Sequence, residues 1–325
     1  MSVQSEFSVI QHYFEQLTSS RDDVLLDIGD DCALLKCPEN QSLAVSIDTL
    51  VSGIHFFPDV DPHTLGHKSL AVGLSDLAAM GATPAWFTLA LTLPEIEEPW
   101  LLAFSQGLAE LAKQHNIQLV GGDTTRGPLA ISIQVHGFVD PSKALRRSGA
   151  KPGDFIYVTG TLGDAGASLQ LQLNQWYEDN LQAEDLLYLR ERLEKPTPRV
   201  EVGQKLLGLA SSAIDISDGL LADLGHIVKK SGVGARLELS KLPTSAALDK
   251  TSRKMVESLA LESGDDYELC FTVPAHYFTE VQERLAGMCT QIGVITEESG
   301  LYFINENDER ISLNKTKVGY DHFKE

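Results

Sequence analysis

Basic residues are scarce in this chain. Its 325 residues hold 26 Lys and Arg against 46 Asp and Glu, a formal net charge of -20. A field of that sign repels nucleic acid, and no local Lys/Arg cluster offsets it, so DNA and RNA are not expected as partners. Cysteine is sparse as well. Cys32, Cys37, Cys270 and Cys289 form no Cys-x-x-Cys pair and no zinc spacing, which points to buried, reduced thiols and a cytoplasmic protein. A long hydrophobic run is missing. The most apolar stretch, Leu70 to Leu93, is interrupted by Asp76, Gly81 and Pro84, so no membrane span is expected. Met1 to Ile10 shows no basic start followed by an apolar run, and no signal peptide is expected. Fixed-period repeats and low-complexity tracts are absent. Three familiar nucleotide signatures are missing too. There is no Gly-x-x-x-x-Gly-Lys-Ser/Thr loop and no protein-kinase His-Arg-Asp and Asp-Phe-Gly set, and the run Gly160, Gly163, Gly166 lacks dinucleotide spacing.

What is present is enough apolar material, 43% of residues, to build globular cores. The length suits two of them. Helical spacing of Phe7, Ile10, Phe14 and Leu17 predicts a helix over the first ~20 residues. Val24 to Leu26 is a strand-like apolar run leading into Asp27 to Asp31, and Ser42 to Asp48 reads as a buried strand ending in an acid. A helix follows over Pro62 to Met80, a strand over Trp86 to Leu93 and a helix over Trp100 to His115. Gln118 to Asp123 reads as a short strand entering a glycine turn, and Ala130 to Val139 as an alternating strand. Arg146 to Asp154, with Gly149, Pro152 and Gly153, is the best linker. Beyond it come a strand at Phe155 to Thr159 and a helix after Gly166. Helices follow near Leu186 to Leu193 and Val200 to Leu209, and Ala213 to Leu220 opens another. Strands near Ala235 to Leu239 and Leu269 to Val273 suggest a mixed sheet. Interleaved helices and strands in both halves imply two α/β domains, residues 1–145 and 146–325.

Aspartates recur at the ends of strand-like runs: Asp27, Asp30 and Asp31; Asp48; Asp123; Asp215 and Asp218. Asp76 stands inside an apolar helix. Each one alone has an ordinary explanation, as a cap, a turn residue or a solvated helix position. Together they are harder to dismiss, because Asp seldom goes inside unless it is paired or holds a metal. Several such acids would repel one another without cations between them. Magnesium suits hard carboxylate oxygens shared with phosphate. Gly121-Gly122-Asp123 sets backbone N–H groups beside a carboxylate, where a phosphate can come close, although many plain turns look the same. Ser217 or Asp218 can cap the following helix, or the same helix start can take a phosphate. Arg146-Arg147 reads either as a solvated pair or as neutralisation for phosphate. His55 reads as structural or as a substrate contact, and Ser263 to Glu268 as an acidic turn.

Taken in order, several segments resemble the thiamine-monophosphate kinase family. They are Ile28 to Ala33, Ser46 to Val51 with His55-Phe56, Lys68 to Ala82, Gly121 to Thr125, Arg146 to Ala150, Val158 to Gly163 and Asp215 to Gly219. The likeness extends to Gly319 to Phe323, so it covers nearly the whole chain. No single piece is specific, but the set is. The resemblance implies a two-domain fold like that of aminoimidazole ribonucleotide synthetase, with mixed α/β sheets and the N-terminal domain forming a homodimer interface. It implies ATP and several magnesium ions, held by Asp30, Ser46, the backbone of Ile47, Asp48, Asp76, Asp123, Asp215 and Asp218. It places Gly122, Asp123, Arg147 and Ser217 at ATP and His55, Asp265 and Tyr320 at thiamine monophosphate. Asp48, Asp123 and Asp218 become the catalytic candidates. The family usually shows Gly-Gly-Glu-Asp where this chain has Ser263-Gly264-Asp265-Asp266, so its acid at 265 is one methylene shorter. The expected reaction is direct in-line transfer of the γ-phosphoryl group of ATP to the phosphate of thiamine monophosphate. The alternatives are another ATP-dependent enzyme of the same superfamily, or a non-catalytic acidic protein that binds metal or nucleotide.

Overall fold

The computed structural model describes residues 5–15, 17–305, 307 and 309–311. The chain divides into two compact units, residues 1–77 with 82–142 and residues 78–81 with 143–325.

The first unit begins with α1 (Glu6–Val9), which continues into a π-helical turn, Ile10–Phe14. The helix expected over about twenty residues is thus shorter. Phe14 turns inward, while Phe7 is left exposed. A small hairpin of β1 (Val24–Leu26) and β2 (Leu34–Leu35) follows. Then come β3 (Ser42–Val51), α2 (Pro62–Ala79), β4 (Thr83–Leu93), α3 (Glu98–Gln114), β5 (Gln118–Arg126) and β6 (Ala130–Val139). The four long strands form one sheet in the order β3-β6-β4-β5. Only the β4–β5 pair is parallel among them, with α3 as the crossover.

Two departures from the sequence reading bear on function. Gly121 to Asp123 form no turn. They lie inside β5, which runs on through Thr124 and Thr125 to Arg126, paired with β4 past a bulge. The β-branched threonines and the waiting edge of β4 favour the extended chain. Gly122 is needed there for another reason, since a Cβ on it would come within 1.9 Å of the Leu89 carbonyl oxygen. Nor is β3 buried on both faces. Leu43, Val45 and Ile47 point outward, and Ile47 is 62% exposed.

The helices lie close together because glycine lets them. A Cβ on Gly66 of α2 would meet the Phe104 carbonyl oxygen at 2.0 Å, and one on Gly107 of α3 would meet that of His63 at 1.9 Å. Gly73 of α2 similarly touches Val135 of β6.

The second unit contains β7 (Phe155–Thr159), α4 (Asp164–Gln172), α5 (Ala183–Glu194), α6 (Val200–Lys205), β8 (Ser212–Ile216) and α7 (Leu220–Ser231). It continues through β9 (Gly234–Glu238), α8 (Arg253–Glu262), β10 (Glu268–Val273), α9 (Phe278–Arg284), β11 (Cys289–Thr296), β12 (Gly300–Ile304) and β13 (Arg310–Ile311). Its sheet runs β13-β12-β9-β11-β7-β10-β8, with β12 parallel to β9 and the other pairs antiparallel. A core of Ile156, Val158, Ile214, Leu224, Ile227 and Leu237 joins this sheet to α7. Both sheets are mixed, as expected for the α/β class.

The helix crossing yields a test whose sign is set by two opposed effects. Gly→Ala inside a helix ordinarily gains about 1 kcal/mol of propensity. Here the new methyl must displace a carbonyl, which costs about 1–3 kcal/mol or more. Gly66→Ala and Gly107→Ala are expected to lower the urea midpoint with an unchanged slope, and a raised midpoint in either would contradict so close an approach.

Candidate active site

In the first unit, side-chain alternation along β3 sends Ser46, Asp48 and Leu50 to one face and Ile47 to the other. Asp76 reaches the same place from α2. The Ser46 hydroxyl donates a short hydrogen bond to Asp76 Oδ2. Asp48 is half-buried beside them, and its buried Oδ2 has no hydrogen-bond partner. Burial, then the neighbouring Asp76 charge, pushes the Asp48 carboxyl up to about 6. An orphaned carboxylate oxygen facing a second carboxylate suits a divalent cation such as magnesium. Ile47 can contribute there only through its backbone, because its side chain points away.

Just beyond β3 the chain reverses at Gly53 (φ 78°). The His55 ring folds back so that Nδ1 accepts the Val51 N–H at 3.0 Å, which assigns the neutral ring's proton to Nε2.

A second group of acids lines a pocket of about 630 Å³. Asp27, Asp30 and Asp31 come from the segment between β1 and β2, Gly122 and Asp123 from β5, and Phe7, Ile10 and Phe14 close one side. Asp30 Oδ1 accepts the Asp31 N–H at 2.8 Å. The exposed glycine backbone of β5 and the carboxylates therefore share one cavity. Asp48 and Asp123 are not brought side by side. Asp48 lies in register with Ile133, Leu89 and Gly122, and Asp123 with Ala90, Ser132 and Thr49. The two are three strand spacings apart, about 14 Å, and alternation turns their side chains to opposite faces. Among the described residues, no three His, Cys, Asp or Glu side chains converge on a common metal position.

In the second unit, β8 carries buried Asp215 and ends in the turn Ser217-Asp218-Gly219 before α7. The expected cap does not form, because neither Ser217 nor Asp218 caps the helix. The N-cap is Gly219, with no side-chain bond. Asp223 of α7 reaches back instead, and its Oδ2 accepts the N–H of Ser217 at 3.1 Å and of Asp218 at 3.0 Å. Burial pushes Asp223 up to about 7, with the Asp218 charge adding to it. The two N–H bonds and the Arg147 guanidinium pull the other way. Arg147 thus belongs beside this turn. Asp265 joins it by donating its own N–H to the Ser217 carbonyl at 2.9 Å. Tyr320 lies outside the described residues.

Sequence reasoning missed Asp223, although an acid between Ala222 and Leu224 in an apolar helix is the same signal that marked Asp76. It also missed a buried ion network. Glu268 accepts from Arg199 Nε and Nη2 at 2.6 Å each and from Arg192 Nη2 at 2.9 Å. Asp164 accepts from Thr161, Tyr188 and Ser245. Asp266 Oδ2 accepts the Gly163 N–H at 2.8 Å. Burial raises the Asp266 carboxyl well above its ordinary range. Three acids, Asp164, Asp266 and Glu268, face two arginines, Arg192 and Arg199.

Two α/β units with mixed sheets, carrying acids on β3, α2 and β5 in the first and on β8 in the second, define the class. Residues 29–139 match the AIR synthase related protein N-terminal domain and residues 151–305 its C-terminal domain. The thiamine-monophosphate kinase of Escherichia coli is 53% identical over 323 residues, 98% of each chain. The crystal structure of thiamine-monophosphate kinase from Stenotrophomonas maltophilia shares 48% identity at a TM-score of 0.82, covering 87% of this chain and 92% of that one. AaThiL complexed with AMPPCP and TMP follows at 31% identity and TM-score 0.76, covering 91% and 92%. The chain belongs to the AIR synthase related family and, within it, to the thiamine-monophosphate kinases.

The raised Asp48 carboxyl makes a pH prediction. Its folded pKa, about 6, lies above the ordinary 3.8, so between those values the unfolded chain binds fewer protons and stability falls as pH rises. Without metal, wild type is expected to lose roughly 2–3 kcal/mol from this group between pH 4 and 7. Asp48→Asn removes that loss, and urea titrations in chelator at the two pH values measure the difference.

Proposed function

We propose that this protein phosphorylates thiamine monophosphate with ATP, giving thiamine diphosphate and ADP. The observation that carries the reading is the near end-to-end identity with thiamine-monophosphate kinases, together with carboxylate groups at the positions that the family resemblance marks. AMPPCP is an ATP analogue, and its presence with TMP in a relative supports both substrates.

The acceptor phosphate is already anionic at neutral pH, so no strong general base is required. The difficulty is to hold two phosphate-bearing anions in line within a chain of net charge -20. Asp48, Asp76 and Ser46 would hold magnesium in the first unit, with the backbone at Ile47. Asp30 and Asp123 would do so at the β5 pocket, and Asp215 and Asp218 in the second unit. Magnesium, when bound, supplies positive charge to phosphate oxygens and screens their repulsion. The Gly122 backbone takes a phosphate at close range, and Arg147 and Ser217 bind ATP. His55, Asp265 and Tyr320 receive thiamine phosphate. Tyr320 suits a cationic thiazolium, which an aromatic face attracts.

We also place the protein in the cytoplasm as a homodimer. All four cysteines are free, although Cys32 and Cys37 are exposed and not buried as expected, and among the described residues no helix is long and apolar enough to cross a membrane. Leu43, Val45 and Ile47 form an exposed apolar row on the outer face of edge strand β3, which a second copy would cover.

ADP release should depend on thiamine monophosphate, whereas a non-catalytic binder would take up ATP and release nothing. Asp123→Asn should keep the fold and lower kcat by about 10²-fold or more, and near-normal turnover at saturating magnesium would remove the residue from the mechanism. Val45→Asp should convert the dimer to monomer in sedimentation experiments, and an unchanged mass would exclude that face as the contact.

A further inference from the structure

The turn before β10 is strained at two non-glycine residues. Asp265 has φ 65° and Tyr267 has φ 50°, both in the left-handed region, which is costly for a bulky side chain. The surrounding structure holds it there from two sides. Asp265 donates its N–H to the Ser217 carbonyl and Tyr267 donates its own to that of Ile216, both at 2.9 Å. Gly264 packs so tightly that a Cβ would meet the Ser217 carbonyl oxygen at 2.2 Å. Between the strained residues, buried Asp266 accepts the N–H of Gly163 at the start of α4. The strain has a definite result. The Tyr267 ring is buried with 9% exposure, and its hydroxyl donates to Asp265 Oδ1 at 3.0 Å.

We propose that Tyr267 is a positioning residue, whose hydroxyl fixes the Asp265 carboxylate beside the Ser217–Asp218 turn for recognition of the thiamine phosphate substrate. The proposal rests on the reading that Asp265 meets that substrate. The reversal over Asp265, Asp266 and Tyr267 is left-handed at its first and last residues, and it brings the hydroxyl of 267 back to the carboxylate of 265. A rigid buried ring then sets where the carboxylate sits, in place of a side chain free to choose among rotamers. Loss of a hydrogen bond to a charged group is felt where that group is used.

Tyr267→Phe removes one oxygen and keeps the ring. Its KM for thiamine monophosphate should rise about tenfold, with kcat and the KM for ATP within about twofold and an unchanged melting temperature. Calorimetric titration of thiamine monophosphate in the presence of AMPPCP should show the same weakening without turnover. Asp265→Ala should weaken thiamine monophosphate at least as much, and adding Tyr267→Phe to it should change nothing further. A normal KM and affinity in Tyr267→Phe, or effects of the two substitutions that multiply, would overturn the positioning role while leaving Asp265 at the substrate. A merely structural tyrosine would lower the melting temperature and leave the KM unmoved, which also overturns it. If Asp265→Ala binds thiamine monophosphate normally, the underlying assignment of Asp265 fails and takes the proposal with it.

Discussion

Asp48 and Asp76 face each other where β3 meets α2, and one oxygen of Asp48 has nothing to bond to. Folding places them there although the contact is unfavourable for the protein alone. Strand alternation leaves Asp48 no other direction, and the helix above it brings Asp76 and the Ser46–Asp76 hydrogen bond to the same spot. Such a site is stabilised by what binds it. A cation that relieved the repulsion would bind the folded chain and not the unfolded one, and would link ligand binding to stability through the same two carboxylates.

The second unit treats buried acids in the opposite way. Glu268 and Asp164 are fully enclosed, but arginines and hydroxyls answer them within the fold. That network is closed by side chains of the fold except at Arg192 Nε and Asp266 Oδ1, which are buried without a hydrogen-bond partner. It anchors α4, α5 and the start of β10, so the turn that carries Asp265 hangs from a rigid support. The Asp215–Asp218 segment lies against this support on the other side, where Asp223 satisfies two N–H groups that the helix start leaves open. Asp164 and Glu268 are completed by side chains of the fold, whereas Asp48 keeps an open oxygen beside a second carboxylate, an arrangement suited to a cation.

Glycine sets how close these parts come. Gly122 admits the β4 carbonyl, Gly264 admits Ser217, and Gly66 with Gly107 admits the helix crossing. In each case the obstacle is backbone, which cannot move aside as a flexible side chain can.

Much of this was legible in the order of residues. Apolar periodicity located most strands and helices, because periods of 2 and 3.6 are local properties. Aspartates at strand ends and one inside an apolar helix drew attention to the site, because an acid among apolar neighbours costs free energy unless something answers it. What was not legible depended on partners distant along the chain. The Gly121–Asp123 segment looked like a turn until β4 offered it an edge. Asp223 looked like an ordinary helix residue until the β8–α7 turn came within reach of it. Sequence by itself determined the two α/β units and the chemistry of the acids. Only the tertiary structure decided which acids stand together, sending Asp48 to Asp76 and Asp123 to Asp30, because register and packing, unlike composition, assign each carboxylate its neighbours.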